Sequence, residues 1–360
     1  MKEIKDIIKA YRQAVAEKRK TALATVVKVD GSSYRRAGAR ILLTDQGMLT
    51  GAISGGCLEG DALRKALTVI HAGENRLVTY DTADEDDAKF GVQLRCNGIF
   101  YILFEPIDSS SADNPISILE WISKFRENAA IAVLFSLDNR KQVGTYLALK
   151  SWIAYNLASD NVPMALRKDL GMVLNEKRSA VKDYYLENGE KVSAFLEFLP
   201  PPISIIIVGG GNDAQPLSRV ASLIGWHIVI VDDRPTHATP QRFPEADQVL
   251  VANPEKVLLQ LAIDKWTAFV LMMHNYNYEL ALLGQLLSTD AGYIGTLGPR
   301  SKLIRMLEEI PANEQTGSDR IYGPVGLDIG AETAEEIAIS VIAEIKAVFS
   351  DRSAGKLREK

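Results

Sequence analysis

Apolar and polar positions follow one rhythm before Pro200-Pro201-Pro202 and another after it. In the first part, residues 4–19 place isoleucines and alanines at helical spacing between charged residues, the pattern of an amphipathic helix. Residues 22–29 are rich in β-branched side chains and end at Asp30-Gly31-Ser32-Ser33, which predicts a strand and a turn. Further strands are expected over 39–44, 76–80, 98–105, 130–137 and 192–199, with a short extended piece over 48–52. Helices are expected over 58–71, stopping at Gly73, and over 116–126. The acidic run Asp84-Glu85-Asp86-Asp87 reads as solvated loop, and residues 106–115 as an exposed connection. The stretch between 137 and 192 carries no strong chemical signature.

Three consecutive prolines cannot continue a central strand or a helix, so they mark the domain boundary. Residues 203–208 follow as an unbroken apolar run, the profile of a strand buried on both faces. A helix to about residue 224, a strand over 227–231 and further strand-plus-helix units at 248–251, 268–272 and 292–295 repeat the pattern, before a terminal helix over 334–349. The fold class is therefore α/β: a mixed α/β domain over 1–199, a Rossmann-like domain with a parallel sheet over 200–350, and a flexible tail over 351–360.

Composition narrows the classes. Apolar residues make up 47% of 360, enough for sizeable cores, and the formal charge of −5 argues against nucleic acid as a partner. No apolar run is long enough to span a membrane and no leader pattern opens the chain, so the expected setting is the cytoplasm. Two cysteines make no disulfide framework, and no histidine or cysteine spacing suggests a metal site.

Both cysteines stand beside glycine, where backbone can turn tightly and approach a ligand: Ser54-Gly55-Gly56-Cys57-Leu58-Glu59 and Arg95-Cys96-Asn97-Gly98. A helix starting after Cys57 would favour its thiolate. Glu59 reads first as a helix cap and second as a proton carrier. The loop from Gly31 to Arg40 holds Ser33, Arg35, Arg36 and Arg40, donors suited to a phosphate or similar anion. Structural cysteines and solvent-facing arginines account for the same letters.

Gly209, Gly211 and Ala214 match the dinucleotide-binding turn between strand and helix, and Asp232 stands about twenty residues beyond, where an acid can meet a ribose. The turn is equally readable as structural. His274 follows an apolar strand and opens a helix, so it is a candidate acid/base or a helix cap. Arg300, after Gly298-Pro299, is a candidate anion contact; Asp328, in a rigid loop, is a hydroxyl or metal partner or a solvated turn residue.

Four segments together resemble the XdhC/CoxI family: the Gly31–Arg40 loop, the Ser54–Glu59 turn, the Gly209–Ala214 turn and the ending from Gly323 to Thr333. The likeness extends over nearly the whole chain and is most specific from Pro324 to Glu344. It implies an accessory protein that binds molybdenum cofactor in its molybdopterin form, assists its sulfuration and delivers it to a hydroxylase of the xanthine dehydrogenase type. By that resemblance Cys57 and Cys96 match the family's two glycine-flanked cysteines. The hydroxylase is the expected partner, a cysteine desulfurase a further one, and a homo-oligomer the expected assembly.

The chain departs from the family pattern at several positions. Tyr34 replaces a common proline, Cys96 is followed by Asn97 and one glycine instead of two, and Asn212 stands in place of a histidine. Asp213 and Pro216 replace more apolar neighbours, and the polar turn after the middle strand is reduced to His274-Asn275-Tyr276-Asn277-Tyr278-Glu279. Two other readings remain. One is an NAD(P)-binding oxidoreductase using Gly209, Gly211, Ala214 and Asp232 with His274 as acid/base; the other is a non-catalytic scaffold that docks a molybdenum enzyme.

Overall fold

The protein is described by a computed structural model for residues 1–32, 35–56, 58–81, 98–124, 126–138, 141–151, 153–157, 164–185, 189–315 and 317–359. The chain divides into two compact units, Met1–Pro201 and Pro202–Lys360.

In the first unit the order is α1 (Lys2–Ala16), β1 (Thr21–Gly31), β2 (Arg40–Thr44), β3 (Leu49–Gly51), α2 (Glu59–Ala72), β4 (Arg76–Asp81), β5 (Gly98–Ile107), α3 (Pro115–Ser123), β6 (Ala129–Phe135), β7 (Gly144–Lys150), β8 (Ile153–Asn156), α4 (Met164–Glu176), β9 (Ala180–Tyr185) and β10 (Lys191–Leu199). The strands form two five-stranded sheets, β3-β2-β1-β5-β4 and β8-β7-β6-β10-β9, antiparallel in every pairing. The segment between 137 and 192, featureless in sequence, supplies three of the second sheet's strands and α4.

Period-two alternation divides each strand between two cores. Leu23 and Val27 of β1, Ile131, Val133 and Phe135 of β6 and Phe195 of β10 point into a core between the sheets, which α1 and α3 complete. Ala22, Ala24 and Val26 face α2, and Ala130, Ala132 and Leu134 face α4. Helix α2 ends at Gly73, whose φ of 70° supplies the left-handed cap that the sequence marks. Helix α3 begins with Asn114 accepting from Ile116 and Ser117 amides, ahead of Pro115.

The same alternation turns Arg40 and Glu197 inward, and they meet across the two sheets. Arg40 Nη2 lies 2.5 Å from Glu197 Oε2, and its Nη1 donates to Gly38 O at 3.0 Å. Burial works against the charge of Arg40, but the Glu197 carboxylate outweighs it and raises the pKa. Gly38 has φ of 96°, and a Cβ there would sit 2.4 Å from Glu197 Oε1, so backbone conformation and space both require glycine. A second buried acid, Glu105 of β5, accepts from the amide and hydroxyl of Thr145 on β7, at 2.6 and 2.9 Å.

The second unit runs β11 (Ser204–Val208), α5 (Ala214–Leu223), β12 (His227–Asp232), β13 (Gln248–Val251), α6 (Pro254–Val257), β14 (Thr267–Leu271), α7 (Tyr276–Leu286), β15 (Tyr293–Thr296), α8 (Arg300–Glu309), β16 (Ile321–Tyr322) and α9 (Ala334–Val348). Its sheet order is β13-β12-β11-β14-β15-β16, parallel throughout. Helices α5 and α9 cover one face, and α6, α7 and α8 the other. The order reverses between β11 and β14, which makes the carboxyl edge there the place where such sheets receive ligands. This is the parallel Rossmann-like sheet expected from the sequence.

The terminal segment is tied down around the buried Tyr293. Tyr293 donates to Glu344, Gly326 N donates to the same carboxylate at 3.2 Å, and Tyr293 stacks on Tyr322 with centroids 4.4 Å apart. Thr333 and Glu336 form a capping box at the start of α9.

Glu197→Gln leaves the Arg40 charge buried without its counterion and should cost about 3–5 kcal/mol of stability, measured by urea unfolding. Replacing both residues by methionine should restore most of that loss. A cost below about 1 kcal/mol for the single change would place the pair among weak, solvated ion pairs.

Candidate functional site

Ser54 and Glu59 order the turn after β3. Ser54 is buried: its amide donates to Glu59 Oε1 at 2.9 Å and its hydroxyl to Oε2 at 2.5 Å. The same hydroxyl accepts from Gly56 N at 3.2 Å and Leu58 N at 3.1 Å. Burial opposes ionisation of Glu59, yet the Ser54 bonds outweigh it and hold its pKa below the ordinary value. Glu59 thus ties the Ser54 turn to the first residue of α2, and the helix start itself has no side-chain cap hydrogen bond, so the cap expected of Glu59 is replaced by a tie to Ser54. Gly55 and Gly56 are left exposed, Gly56 with φ of 112° and open space where a Cβ would stand. Backbone is therefore accessible at the turn that precedes Cys57 in sequence.

Glu3, which the sequence did not single out, links this turn to the arginine loop. Its Oε1 accepts from Ala52 N at 3.0 Å, and its Oε2 lies 3.8 Å from Arg35 Nη1. Arg35 is thereby placed beside the entrance to the Ser54 turn, and Arg36 is exposed. Arg40 needs correction. The expectation of an anion contact does not fit a guanidinium buried between two sheets and held by Glu197 and Gly38. Ser33, Tyr34, Cys57 and Cys96 lie outside the described residues.

In the second unit Gly209 takes φ of 121°, and a Cβ on it would come 2.6 Å from Met272 O, so the turn packs directly on the end of β14. Ala214, buried, is the first residue of α5, and Gly211 faces open space. Asp232 is fully buried, and its carboxylate is used within the fold. Oδ2 accepts from Gly210 N at 2.7 Å and Arg234 Nη2 at 2.8 Å; Oδ1 accepts from Arg234 N and Nε, both at 2.9 Å. Each oxygen has two donors, so neither has a lone-pair direction left for a ribose hydroxyl. The acid at the ribose offset is here a lock on the glycine turn.

Burial alone would push the Asp232 carboxyl up, but the Arg234 guanidinium and the two amides outweigh it and bring the pKa down to about 2. Arg242 adds a second clasp, donating from Nη2 to Gly210 O and Asn212 Oδ1, both at 3.1 Å. The asparagine that departs from the family's histidine supplies that acceptor. Arg234 and Arg242 were not anticipated; the adjacent Asp232-Asp233 pair was the one available sign, since it invites a neighbouring cation.

His274 is exposed just before α7, where Asn275, and not the histidine, is the cap, its Oδ1 accepting from Tyr278 N at 3.2 Å. Arg300 is exposed at the first position of α8, and Asp328 is exposed in the final loop. His274 does share a cavity of about 340 Å³ with Met272, Met273, Tyr276, Leu297 and Lys302. Lys302, also missed, is ion-paired with the buried Glu279. No helix among the described residues is long and apolar enough to cross a membrane.

Comparison with known proteins covers both units. Residues 14–81 match the model of the XdhC and CoxI family, and residues 205–345 match the XdhC Rossmann domain. A probable xanthine dehydrogenase subunit from Bacillus subtilis is 30% identical over 91% of this chain and 93% of its own. The molybdenum cofactor insertion chaperone PaoD of Escherichia coli is 25% identical over 95% of this chain and 87% of its own. Among solved structures, a xanthine dehydrogenase from Bacillus halodurans superposes with a TM-score of 0.78 at 28% identity, covering 98% of both chains.

A carboxylate held at about 2 in the folded state and near 3.9 in the unfolded chain stabilises the fold above the unfolded value. That contribution is lost as pH falls through the folded value. Asp232→Asn should therefore be less stable at neutral pH and should lose less further stability than the parent between about pH 4 and pH 2, read by urea midpoints. Parallel acid curves for the two proteins would contradict the lock.

Proposed function

The chain belongs to the XdhC and CoxI family, and on that premise we propose that it is an accessory protein for molybdenum cofactor. It binds the molybdopterin form as cargo, shields it while its terminal sulfur is installed, and hands it to an apo-hydroxylase of the xanthine dehydrogenase type. The observation that carries this reading is the likeness to the cofactor insertion chaperone PaoD, which extends through both units and is not confined to the common Rossmann half.

The amino-terminal turn offers chemistry that suits such a cargo. Arg35 and Arg36, with Ser33, supply donors for the pterin phosphate, and the exposed Gly55-Gly56 backbone lets a ligand approach without side chains in its way. Cys57, the next residue in sequence, is the proposed thiol for the molybdenum and sulfur end, and Cys96 is the second thiol of the proposal. The Ser54–Glu59 bonds make the turn a preformed element, so the chain does not have to order it when cargo arrives. The hydroxylase is the proposed receiving partner and a cysteine desulfurase the proposed sulfur source, with the cytoplasm as the setting and a homo-oligomer as the working form.

An NAD(P)-dependent oxidoreductase is the less favoured reading. A dinucleotide in the Rossmann half would have to bind without the ribose contact from Asp232, whose oxygens are already taken.

Protein purified anaerobically under reducing conditions from cells making the cofactor should release a pterin phosphate on denaturation, identified by mass. Cys57→Ser should keep the parent's thermal midpoint yet reduce activation of apo-hydroxylase to background, because a serine hydroxyl cannot supply the thiolate. Undiminished activation would remove the cysteine from the mechanism, and release of a dinucleotide alone would favour the oxidoreductase.

A further inference from the structure

The carboxyl edge of the second unit's sheet holds a pocket lined by none of the residues proposed for the cargo. It lies at the ends of β14 and β15, has a volume of about 340 Å³, and is bordered by the starts of α7 and α8. Met272, Met273 and Leu297 give it apolar walls. Tyr276 contributes an aromatic one, and that ring is held in place from behind: its hydroxyl donates to Glu309 at 3.0 Å, and the Arg305 guanidinium stands 4.6 Å from its centroid. His274 is the polar group at the exposed side.

Lys302 is the fixed cation of this pocket. Its ammonium is ion-paired with Glu279, which is fully buried, and it donates to Leu297 O at 3.1 Å. An ammonium has three N–H donors, so the bond to Leu297 and the ion pair with Glu279 hold the group and leave at least one donor for the cavity that Lys302 lines. A substitution at Gly298, which has φ of 120°, would press a Cβ against the Lys302 stem at 3.3 Å, so the glycine keeps the lysine's path clear. The neighbouring half of the same edge is closed in a different way. Asp232 is saturated by Gly210 and Arg234, and Gly210 has His237 O within 2.8 Å of where its Cβ would stand.

We infer that this pocket binds a flat heterocycle carrying a phosphate, with the ring against Tyr276 and the methionines and a phosphate oxygen on the spare N–H of Lys302. The ligand of the Rossmann half is thereby displaced from the glycine turn toward β14 and β15. The volume suits a mononucleotide-sized molecule, and the apolar walls with a single pinned cation match the makeup of small-ligand sites. The helix starts add positive potential on the phosphate side.

The test is calorimetric titration of the full chain with guanosine 5′-monophosphate, guanosine, inorganic phosphate and NAD. The monophosphate should bind saturably, and guanosine at least about tenfold more weakly, the loss expected for one charge-assisted hydrogen bond. Inorganic phosphate, which lacks the ring, should also bind more weakly, and NAD no better than the monophosphate. Lys302→Met leaves Glu279 buried and unpaired, so Lys302→Met/Glu279→Gln, which removes both charges, is the variant measured, with its thermal midpoint recorded. It should weaken the monophosphate at least about tenfold. Gly211→Ala and Cys57→Ser should leave binding as in the parent, which separates this pocket from the glycine turn and from the cargo site. Absence of monophosphate binding, equal binding of guanosine, or full binding in a folded double variant each overturns the inference.

Discussion

Arg40 and Glu197 meet in the space between two antiparallel sheets, where neither charge can be satisfied by water. A buried ion without a partner costs several kcal/mol, so the pair ties the position of β2 to that of β10. Gly38 carries no side chain, which leaves room for the carboxylate, and its carbonyl takes the other arginine nitrogen. Glu105 obeys the same constraint, reaching from the first sheet to Thr145 of the second. The amino-terminal unit thus combines apolar cores with polar cross-ties, among them Arg40–Glu197 and Glu105–Thr145, that join its two sheets.

The carboxyl-terminal unit applies that constraint to its loops. Asp232 is buried at the end of β12 and is neutralised by Arg234 while it grips the Gly210 amide, so the glycine turn is a braced element. Glu279 is buried at the start of α7 and is neutralised by Lys302 from α8. These acids have different consequences for ligands. Asp232 is saturated and withdrawn from solvent, whereas Glu279 holds a lysine that still lines a cavity. Two neighbouring loop ends of one sheet therefore differ in what they can offer a ligand.

The amino-terminal turn combines both behaviours. Ser54 and Glu59 satisfy each other inside, and the glycines beside them remain open to the outside. Glu3 brings Arg35 to the same place. A braced base under an exposed backbone, with a cationic neighbour, is the geometry on which the proposed cargo site rests.

Much of the architecture was legible because its signals are local. Helical spacing marked α1, the apolar run after the prolines marked β11, Gly73 marked the end of α2, and Gly209 with Gly211 marked the turn before α5, each through residues only a few places apart. The stretch from 137 to 192 was not legible, since its short strands gain definition only from partners in β6 and β10. Candidate chemistry divided along the same line. The sequence by itself determined where glycine turns, arginines and acids occur and that the second half is a wound parallel sheet. The tertiary structure decided which charges are already paired: Arg40 meets a residue 157 positions away, and Lys302 meets an acid on another helix. The reason is that desolvation depends on what surrounds a group in space, and neither periodicity nor spacing along the chain encodes those neighbours.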